Sequence, residues 1–316
     1  SSYSFNDILF HNIKFCLFLF STIKILIIYN KIRIMKKYLI IFALLVFSFS
    51  FSQINTPQPS PLAQIEQIVG LTEIEVEYSR PSMRGREIFG NLVPYNRIWR
   101  TGANASTKIS FSTNVEINGQ MVEAGKYSVF TLPNESEWEF ILYDDTSVRG
   151  VPRDWDDKKV ILSTMVEIKK YPDPISIETF TISFDALNNN YAVMSMMWDD
   201  VYVPVTINVP TRDIVEKNIQ KVMGEKPTAS DYYASAVYYM QENVNLTMAV
   251  KWMDKAMEMS ENPQFWQLRQ QSLIYAANGD LKGAIRIAKK SLEAAKAANN
   301  QDYIKMNKDS IKEWSN

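Results

Sequence analysis

Arginine residues are concentrated in one short stretch of this sequence. Five of them fall within twenty-one residues, at Arg80, Arg84, Arg86, Arg97 and Arg100. The stretch also contains aromatic residues and glycines, namely Gly85, Phe89, Gly90, Tyr95, Trp99 and Gly102. Guanidinium groups form bidentate, directional hydrogen bonds, and they stack on aromatic faces. This combination predicts a binding site for a carboxylate, a phosphate or a sulfated sugar.

The predicted ligand-binding residues are Arg84, Arg86, Trp99, Arg100 and Asn104. A loop of this composition is costly to order, because each fixed residue loses about 1–2 kcal/mol of backbone entropy. The glycines add to that cost, which is most easily explained if the loop must adopt one defined shape. A structural role is the alternative. The arginines would then pair with glutamates of the preceding strand and with backbone carbonyls of the loop.

The N-terminal part of the sequence predicts export from the cell. Met35 is followed by two lysines and by an apolar stretch, residues 38–47, whose length suits a signal peptide. Ser50 and Ser52 occupy the −3 and −1 positions of a cleavage site before Gln53, so residues 35–52 are predicted to be a signal peptide. A retained membrane anchor is the alternative. The predicted location is the periplasm, the cell surface or the extracellular medium.

Residues 1–34 are interpreted as an untranslated upstream extension. Met35 is the first methionine, and nearly all preceding residues have A/T-rich codons. A transmembrane helix over residues 15–29 is the alternative, but Lys24 interrupts it, and a charge at the bilayer centre costs about 2.5–3.5 kcal/mol. We therefore expect no membrane span after signal cleavage.

The chain after residue 52 contains neither histidine nor cysteine. His11 and Cys16, the single residues of each kind, precede the predicted cleavage site. Disulfides, thiolate nucleophiles, Cys/His zinc sites and histidine general bases are therefore excluded from the mature protein. Removing six basic residues and one acidic residue leaves 28 basic and 34 acidic residues, a net charge of −6 that argues against a nucleic-acid partner.

Catalysis, if there is any, would have to use carboxylates, and the acid/base candidates are Glu87, Asp144 and Asp145. Their spacing does not define a glycosidase pair. The acidic run Asp154-x-Asp156-Asp157 lacks the spacing and the glycine of an EF-hand loop, so we predict a solvated loop. The sequence predicts no metal site and no cofactor, and its catalytic residues are unknown.

Alternating hydrophobicity predicts a β-rich domain over residues 64–210, after a proline-rich leader at residues 53–63. In the run 71–78, Ile74, Val76 and Tyr78 lie on one face and glutamates on the other. Asn118-Gly119 is a strong hairpin signal. Further strands are predicted at residues 107–112, 114–117, 120–123, 126–131, 138–143, 160–168, 177–184, 191–198 and 201–209. Many short strands separated by turns indicate an antiparallel sandwich or a partly closed barrel.

The period becomes helical after Pro210, and residues 211–316 are predicted to be an array of helical hairpins. Thr211 is expected to cap a helix that ends at Gly224, and Thr228-x-x-Asp231 resembles a capping signal. A repeat begins at Asn243 and again at Asn278, thirty-five residues later. It aligns Ala249 with Ala284 and Ala256 with Ser291. The array, from about residue 231 to 298, resembles tetratricopeptide repeats, and a last helix, residues 302–314, is expected to cap it.

The arginine-rich stretch also carries a family resemblance. The run R-P-S-M-R-G-R-E-I-F-G-N-L-V-P-Y-N-R-I-W-R-T-G-A-N-A-S-T begins at Arg80, and A-G-K-Y-S-V-F-T-L-P and W-E-F-I-L-Y follow it. It resembles the family called domain of unknown function 2911. That resemblance implies an exported protein of Bacteroidetes with a tetratricopeptide-like tail, and it brings no activity or catalytic residue. In that family a Trp-Gly often follows the W-E-F strand, whereas this chain has Arg149-Gly150.

Two classes of function agree with these observations. The favoured one is a non-catalytic binding protein, whose β-domain holds a small anionic or glycan ligand and whose helical hairpins bind a protein partner. The alternative is a saccharide hydrolase or lyase that depends on carboxylates. Two carboxylates facing one cleft would favour the enzyme, and an arginine-lined pocket without such a pair would favour binding.

Overall fold

A computed structural model describes residues 19, 21–40 and 56–316. The chain divides into two compact units, Ser1–Gln58 and Pro59–Asn316. In the first unit, residues 21–40 are helical and exposed. The predicted cleavage site and residues 41–55 of the signal and leader segments lie outside the described residues, as does most of the predicted upstream extension. Among the described residues, no helix has both the length and the hydropathy needed to cross a membrane.

Two antiparallel sheets form the N-terminal part of the second unit. The first sheet has the order β1-β2-β3-β6-β7-β8. Its strands are β1 (Leu62–Val69), β2 (Thr72–Ser79), β3 (Thr107–Phe111), β6 (Gly125–Leu132), β7 (Glu137–Tyr143) and β8 (Val160–Glu167). The second sheet has the order β10-β11-β12-β4-β5, with β9 beside β12. Its strands are β4 (Val115–Ile117), β5 (Gln120–Val122), β9 (Lys169–Lys170), β10 (Ile177–Asp185), β11 (Tyr191–Asp199) and β12 (Val201–Asn208).

The predicted antiparallel fold is confirmed. Every strand expected from the alternation is present to within a few residues, and Asn118 and Gly119 both have the positive φ, 48° and 78°, of the expected hairpin turn. Strand β1 was not predicted: it begins at Leu62, inside the expected proline-rich leader. The short strand β9 was also not expected.

The hydrophobic core lies between the two sheets. The three residues predicted on one face of β2, Ile74, Val76 and Tyr78, are 0%, 0% and 2% exposed. They pack in one cluster with residues of the second sheet, such as Phe180 and Trp198. The core therefore forms as the alternation requires, with each sheet contributing its apolar face.

Side chains join the two sheets at both flanks. On one flank, the Tyr78 hydroxyl donates to the carbonyl of Ile182 at 3.2 Å and accepts from the same residue's N–H at 2.9 Å. On the other flank, the Asn118 side chain donates to the Thr164 hydroxyl, and Gln120 Nε2 donates to the Ser163 carbonyl at 3.2 Å. These bonds make the sandwich partly closed, although among the described strands no continuous backbone ladder passes between the sheets.

Helices follow the last strand. They are α1 (Thr211–Met223), α2 (Ala229–Gln241), α3 (Leu246–Glu258), α4 (Phe265–Ala277), α5 (Leu281–Ala297) and α6 (Gln301–Trp314). Thr228 and Asp231 form a reciprocal capping box at the start of α2, as predicted. The predicted cap at Thr211 is wrong. Pro210 occupies the N-cap position of α1, and Thr211 is a buried first residue whose Oγ1 accepts from the Leu71 N–H at 3.4 Å.

The repeated small residues lie where the helices pack. Ala249 and Ala284 are 0% exposed, Ala256 is 1% exposed and Ser291 is 0% exposed. Small side chains at equivalent positions of α3 and α5 allow the neighbouring helices to approach closely. The helical array is confirmed, and its tetratricopeptide-like character stays a prediction.

The helical array packs directly against the β-domain. Glu242, just after α2, accepts hydrogen bonds from the side chains of Asn189 (2.7 Å) and Asn190 (2.6 Å) in the turn between β10 and β11. At a second contact, a Cβ atom built on Gly70 would lie 1.9 Å from Thr211 Oγ1. These contacts fix the two domains in one compact unit.

Candidate functional site

The arginine-rich segment is the long connection between β2 and β3. It spans residues 80–106 and contains no regular strand. Short bridges fix its path. Trp99 exchanges two backbone hydrogen bonds with Thr131 of β6, at 2.7 and 3.0 Å, and Ser82 pairs with Thr179 of β10. Both sheets therefore contribute to holding the segment in place.

The backbone of this segment is strained at several places. Arg84, Asn96, Thr101 and Asn104 have positive φ values of 51°, 57°, 54° and 58°. Thr101 is the clearest outlier, because a β-branched residue is rarely left-handed. It is fully buried, and its hydroxyl lies 3.1 Å from the hydroxyl of Thr131. Strain of this kind costs about 1–3 kcal/mol per residue and clusters at functional sites.

An aromatic cluster forms the floor of the segment. The Trp99 ring stacks on Trp198 at a centroid distance of 5.9 Å and meets Phe180 edge-on at 5.1 Å. Phe89 meets Trp138 edge-on at 5.0 Å. The indole N–H of Trp99 donates to the Gly102 carbonyl at 3.1 Å, so the orientation of this ring is fixed by both packing and hydrogen bonding.

Two cavities, of about 390 and about 290 Å³, are lined in part by residues of the arginine-rich segment. The smaller one, which we call the arginine cavity, is lined by Arg86, Trp99, Arg100 and Asn104, together with Trp198. The structure thus brings together four of the five predicted ligand-binding residues. Arg84 does not line this cavity; it is exposed, and its Nη2 donates to the Pro59 carbonyl at 2.9 Å.

The two guanidinium groups of the arginine cavity are only partly hydrogen-bonded. Arg86 donates from Nε to the Met83 carbonyl at 2.9 Å and from Nη2 to the Ser82 carbonyl at 2.7 Å. Arg100 donates from Nη1 to the Asn104 carbonyl at 2.8 Å. Each guanidinium has five N–H donors, so Arg86 keeps three and Arg100 keeps four for other acceptors.

No arginine of the segment forms an ion pair with a carboxylate, within the described residues. The structural alternative, in which the arginines pair with glutamates and with backbone carbonyls, is therefore correct only for the carbonyls. The arginines do bind backbone carbonyls, and Arg80 in particular donates to the Phe180 carbonyl at 3.1 Å and to the Thr181 hydroxyl at 2.7 Å. They do not pair with the glutamates of β2. The positive charges of Arg86 and Arg100 consequently lie at the cavity without a neutralising partner.

Asn104 connects the arginine cavity to β2 and to the segment just before β1. Its Nδ2 donates to the Ser60 carbonyl at 3.0 Å and to the Ser79 hydroxyl at 3.3 Å. Gly150 also lies beside Arg100, because an added Cβ at Gly150 would be 3.5 Å from the guanidinium Nη1. The Arg149-Gly150 pair is therefore adjacent to the predicted site.

The larger cavity, which we call the acidic cleft, was not predicted. Its walls carry four carboxylates, Glu87, Asp173, Asp199 and Asp200, beside the rings of Phe89, Tyr95 and Trp138. Lys170 pairs with Asp200 at 3.1 Å, and the Ser176 hydroxyl donates to Asp199 Oδ1 at 3.1 Å. Of these four carboxylates only Glu87 was a predicted acid/base candidate, and nothing in the sequence placed Asp173, Asp199 or Asp200 near it.

The other acidic candidates lie elsewhere. Asp145 accepts hydrogen bonds from Lys159 Nζ at 2.8 Å and from the Ser147 hydroxyl at 2.6 Å. The bond from Lys159 is the main reason that the pKa of Asp145 is lowered to about 2. A general acid needs a raised pKa, so Asp145 is unsuited to that role. Asp144 is exposed and lines neither the arginine cavity nor the acidic cleft.

The acidic run near residue 156 has local structural roles. Asp156 caps the short 3₁₀ helix Asp157–Lys159, and Asp157 accepts from the indole N–H of Trp155 at 3.0 Å. In the part of the chain that the structure describes, no group of three or more His, Cys, Asp or Glu side chains is arranged to hold a metal ion.

Comparison with known proteins agrees with the resemblance of the arginine-rich segment. Neither the curated proteins nor the solved structures contain a match to this chain. A family model does match: it is described as protein of unknown function (DUF2911), and it covers residues 60–207. That range runs from just before β1 almost to the end of β12 and includes both cavities. The predicted resemblance is thus confirmed for the whole β-domain, which matches the DUF2911 family.

Proposed function

We propose that this chain is an exported, non-catalytic binding protein whose β-domain holds a small anionic or glycan ligand in the arginine cavity. One observation carries the proposal. Arg86 and Arg100 line the same cavity, about 290 Å³ in volume, and neither has a carboxylate partner among the described residues. Two unneutralised guanidinium groups with free N–H donors favour an anion.

The other walls suit the remainder of such a ligand. Trp99, which is partly exposed, offers aromatic surface beside the guanidinium groups, with the buried Trp198 stacked on it, and Asn104 adds polar atoms. Aromatic faces bind the apolar faces of sugar rings or other flat groups, while the guanidinium groups fix a carboxylate, sulfate or phosphate. The ligand class that satisfies every wall is a sugar acid or a sugar ester of sulfate or phosphate.

The test compares anions with a neutral analogue on matched variants. Melting temperature would be measured with glucuronate, glucose 6-phosphate and glucose. The variants are Arg86→Gln, Arg100→Gln and a control, Arg97→Gln, because Arg97 is exposed in the same segment but does not line the cavity. We expect the charged sugars to stabilise the wild type and the Arg97 variant, because a ligand that binds only the native state raises its melting temperature.

Only the two arginines that line the cavity should be needed for the shift in melting temperature. Arg86→Gln and Arg100→Gln should abolish the shift produced by the charged sugars. An equal shift in all three variants would refute the assignment of the cavity. A shift produced equally by glucose would show that the charge is irrelevant to binding.

Two further parts of the proposal rest on the sequence. Export is supported by the signal-peptide pattern of residues 35–52. A mature N-terminus at Gln53, measured by intact mass of the natively produced protein, is the expected result, and peptides from residues 1–34 would contradict it. A protein partner for the helical array is supported by its resemblance to tetratricopeptide repeats. A Bacteroidetes origin is supported by the resemblance of the β-domain to its family.

The acidic cleft supports the alternative, a saccharide hydrolase or lyase that uses carboxylates. Four carboxylates and three aromatic rings line one cleft of about 390 Å³, and glycosidases act through a pair of such groups. Release of reducing ends from a panel of polysaccharides would test it. Loss of that activity in both Asp199→Asn and Glu87→Gln would establish the enzyme, and the Arg97→Gln variant is again the control.

A further inference from the structure

Strand β1 has an open outer edge. It is the first strand of its sheet, and within the described residues it pairs only with β2. The other edges are covered: Asn118 and Gln120 bind β8, and Tyr78 and Arg80 bind β10. Natural proteins usually protect a long edge with charged side chains, lysine above all, with proline or with a bulge. The eight residues of β1 contain no proline, no lysine and no bulge, and their one charged residue is Glu66.

The register shows which backbone groups face outward. Arg80 N donates to the Pro61 carbonyl at 2.9 Å, and Ile65 lies opposite Val76 in the same antiparallel register. Hydrogen-bonded pairs alternate along such a ladder, so the odd-numbered residues of β1 bond to β2. The N–H and C=O groups of Leu62, Gln64, Glu66 and Ile68 therefore point away from the sheet. One of these carbonyls, that of Ile68, accepts from the neighbouring Gln67 side chain at 2.8 Å.

We propose that this edge pairs antiparallel with β1 of a second copy of the chain, about a twofold axis at Ile65. In that register Leu62 faces Ile68 of the second copy, and Gln64 faces Glu66. All four outward residues of each strand become hydrogen-bonded pairs, and Ile65 meets its own copy at a non-hydrogen-bonded position, as the alternation requires. The two first sheets would then be continuous.

The two neighbouring registers place less compatible side chains opposite each other. An axis at Glu66 places two identical carboxylates opposite each other, which is destabilising. An axis at Gln64 places Leu62 opposite Glu66 of the second copy. Only the axis at Ile65 pairs apolar with apolar and amide with carboxylate. Leu62 and Ile68, the two apolar residues that it buries, are 66% and 64% exposed in the single chain.

Opposite charges introduced at Leu62 and Ile68, which face each other in the proposed dimer, test the register directly. The dissociation constant of the dimer would be measured by sedimentation equilibrium for the wild type, Leu62→Glu, Ile68→Lys and the double variant. Each single change introduces an unpaired charge at two symmetric positions and should weaken the dimer by about tenfold or more. The double variant restores an opposite-charge pair at both positions and should recover most of that loss.

A backbone variant separates pairing from side-chain effects. Glu66→Pro removes an N–H that points outward, so it should abolish the dimer while leaving the bonds to β2 and the melting temperature of the monomer nearly unchanged. Glu66→Gln is the matched control. Its amide can still pair with Gln64, so the dimer should persist.

Hydrogen exchange supplies an independent measurement. The amides of Gln64 and Glu66 should exchange rapidly in dilute protein and slowly in concentrated protein, whereas the amide of Ile65 should be protected in both. A wild type that is monomeric at millimolar concentration would overturn the proposal. So would a dimer that Leu62→Glu and Glu66→Pro leave intact, and so would protection of Glu66 that does not depend on concentration.

Discussion

Replacement of Asn104 tests how the arginine cavity is held together. Its Nδ2 donates to the Ser60 carbonyl at 3.0 Å and to the Ser79 hydroxyl at 3.3 Å, and its φ is 58°. Asn104→Ala removes both bonds and also places an ordinary side chain in the left-handed region. Asn104→Gly removes the same bonds but is free of that conformational penalty.

The magnitudes follow from these two differences. A hydrogen bond contributes about 0.5–1.5 kcal/mol, so either variant should lose about 1–3 kcal/mol from the two bonds. Alanine should lose about 1–2 kcal/mol more, because left-handed backbone costs that much for an L-residue. Glycine is normally less stable than alanine by about 0.5–1 kcal/mol, so the order expected here is the reverse of the usual one.

Urea denaturation provides the measurement. The slope should stay constant in all three proteins, and the midpoints should fall in the order wild type, Asn104→Gly, Asn104→Ala. The shift of melting temperature with glucuronate can be measured on the same samples. An alanine variant as stable as the wild type, or more stable than the glycine variant, would refute the assigned role of Asn104.

Three further changes have expected outcomes. Gly70→Ala should lower the free energy of unfolding, measured in urea, by about 2–4 kcal/mol. The reason is that the new Cβ would lie 1.9 Å from Thr211 Oγ1 and that φ is 56°. A loss of less than about 1 kcal/mol would contradict this. Ala256→Trp should cost a few kcal/mol by overpacking a buried helix contact, and an unchanged urea midpoint would count against that contact. Asp145→Asn should destabilise the protein near neutral pH, but the difference from wild type should vanish as pH falls from 3.8 to about 2. The reason is that the bond from Lys159 lowers the folded-state pKa of Asp145, so its stabilisation exists only above that window. A difference that persists below pH 2 would show another cause.

The sheets were predictable because the apolar face of most strands is continuous. Ile74, Val76 and Tyr78 of β2 are all buried, as their alternation requires. Strand β1 escaped prediction because apolar residues lie on both of its faces. Leu62 and Ile68 are exposed, while Gln67 occupies a position on the half-buried face. A strand whose outward face is also apolar has no clear period of two.

The residues of the arginine cavity could be predicted from the composition of the sequence, but their hydrogen bonds could not. Four of the five predicted residues line the cavity, because a loop that combines glycines with arginines is recognisable in the sequence alone. The acceptors of these arginines are backbone carbonyls, at Ser82, Met83, Asn104 and Phe180. A carbonyl has no signature in a sequence. The acidic cleft was missed for a related reason, since its carboxylates come from separate segments of the chain that only the folded structure brings together.

The capping error at α1 has a tertiary cause. A threonine before a helical run is normally a good N-cap. Here Thr211 is buried against Gly70, and its hydroxyl accepts a hydrogen bond from the Leu71 N–H. These two residues are 140 positions apart in the sequence. The contact between the two domains therefore takes the hydroxyl that local reasoning assigned to the helix end.

The flank that joins β2 to β10 has a consequence for synthesis of the chain. The bonds of Tyr78 and Arg80 to β10 span 104 and 100 residues of sequence, and the Trp99–Trp198 stack spans a similar distance. Contacts of such long range form late, because the intervening chain must first be closed into a loop. A chain emerging from the ribosome can complete the first sheet while Trp99 still has no stacking partner. Until β11 has emerged, the arginine cavity does not exist, and the apolar face of the first sheet needs protection from aggregation.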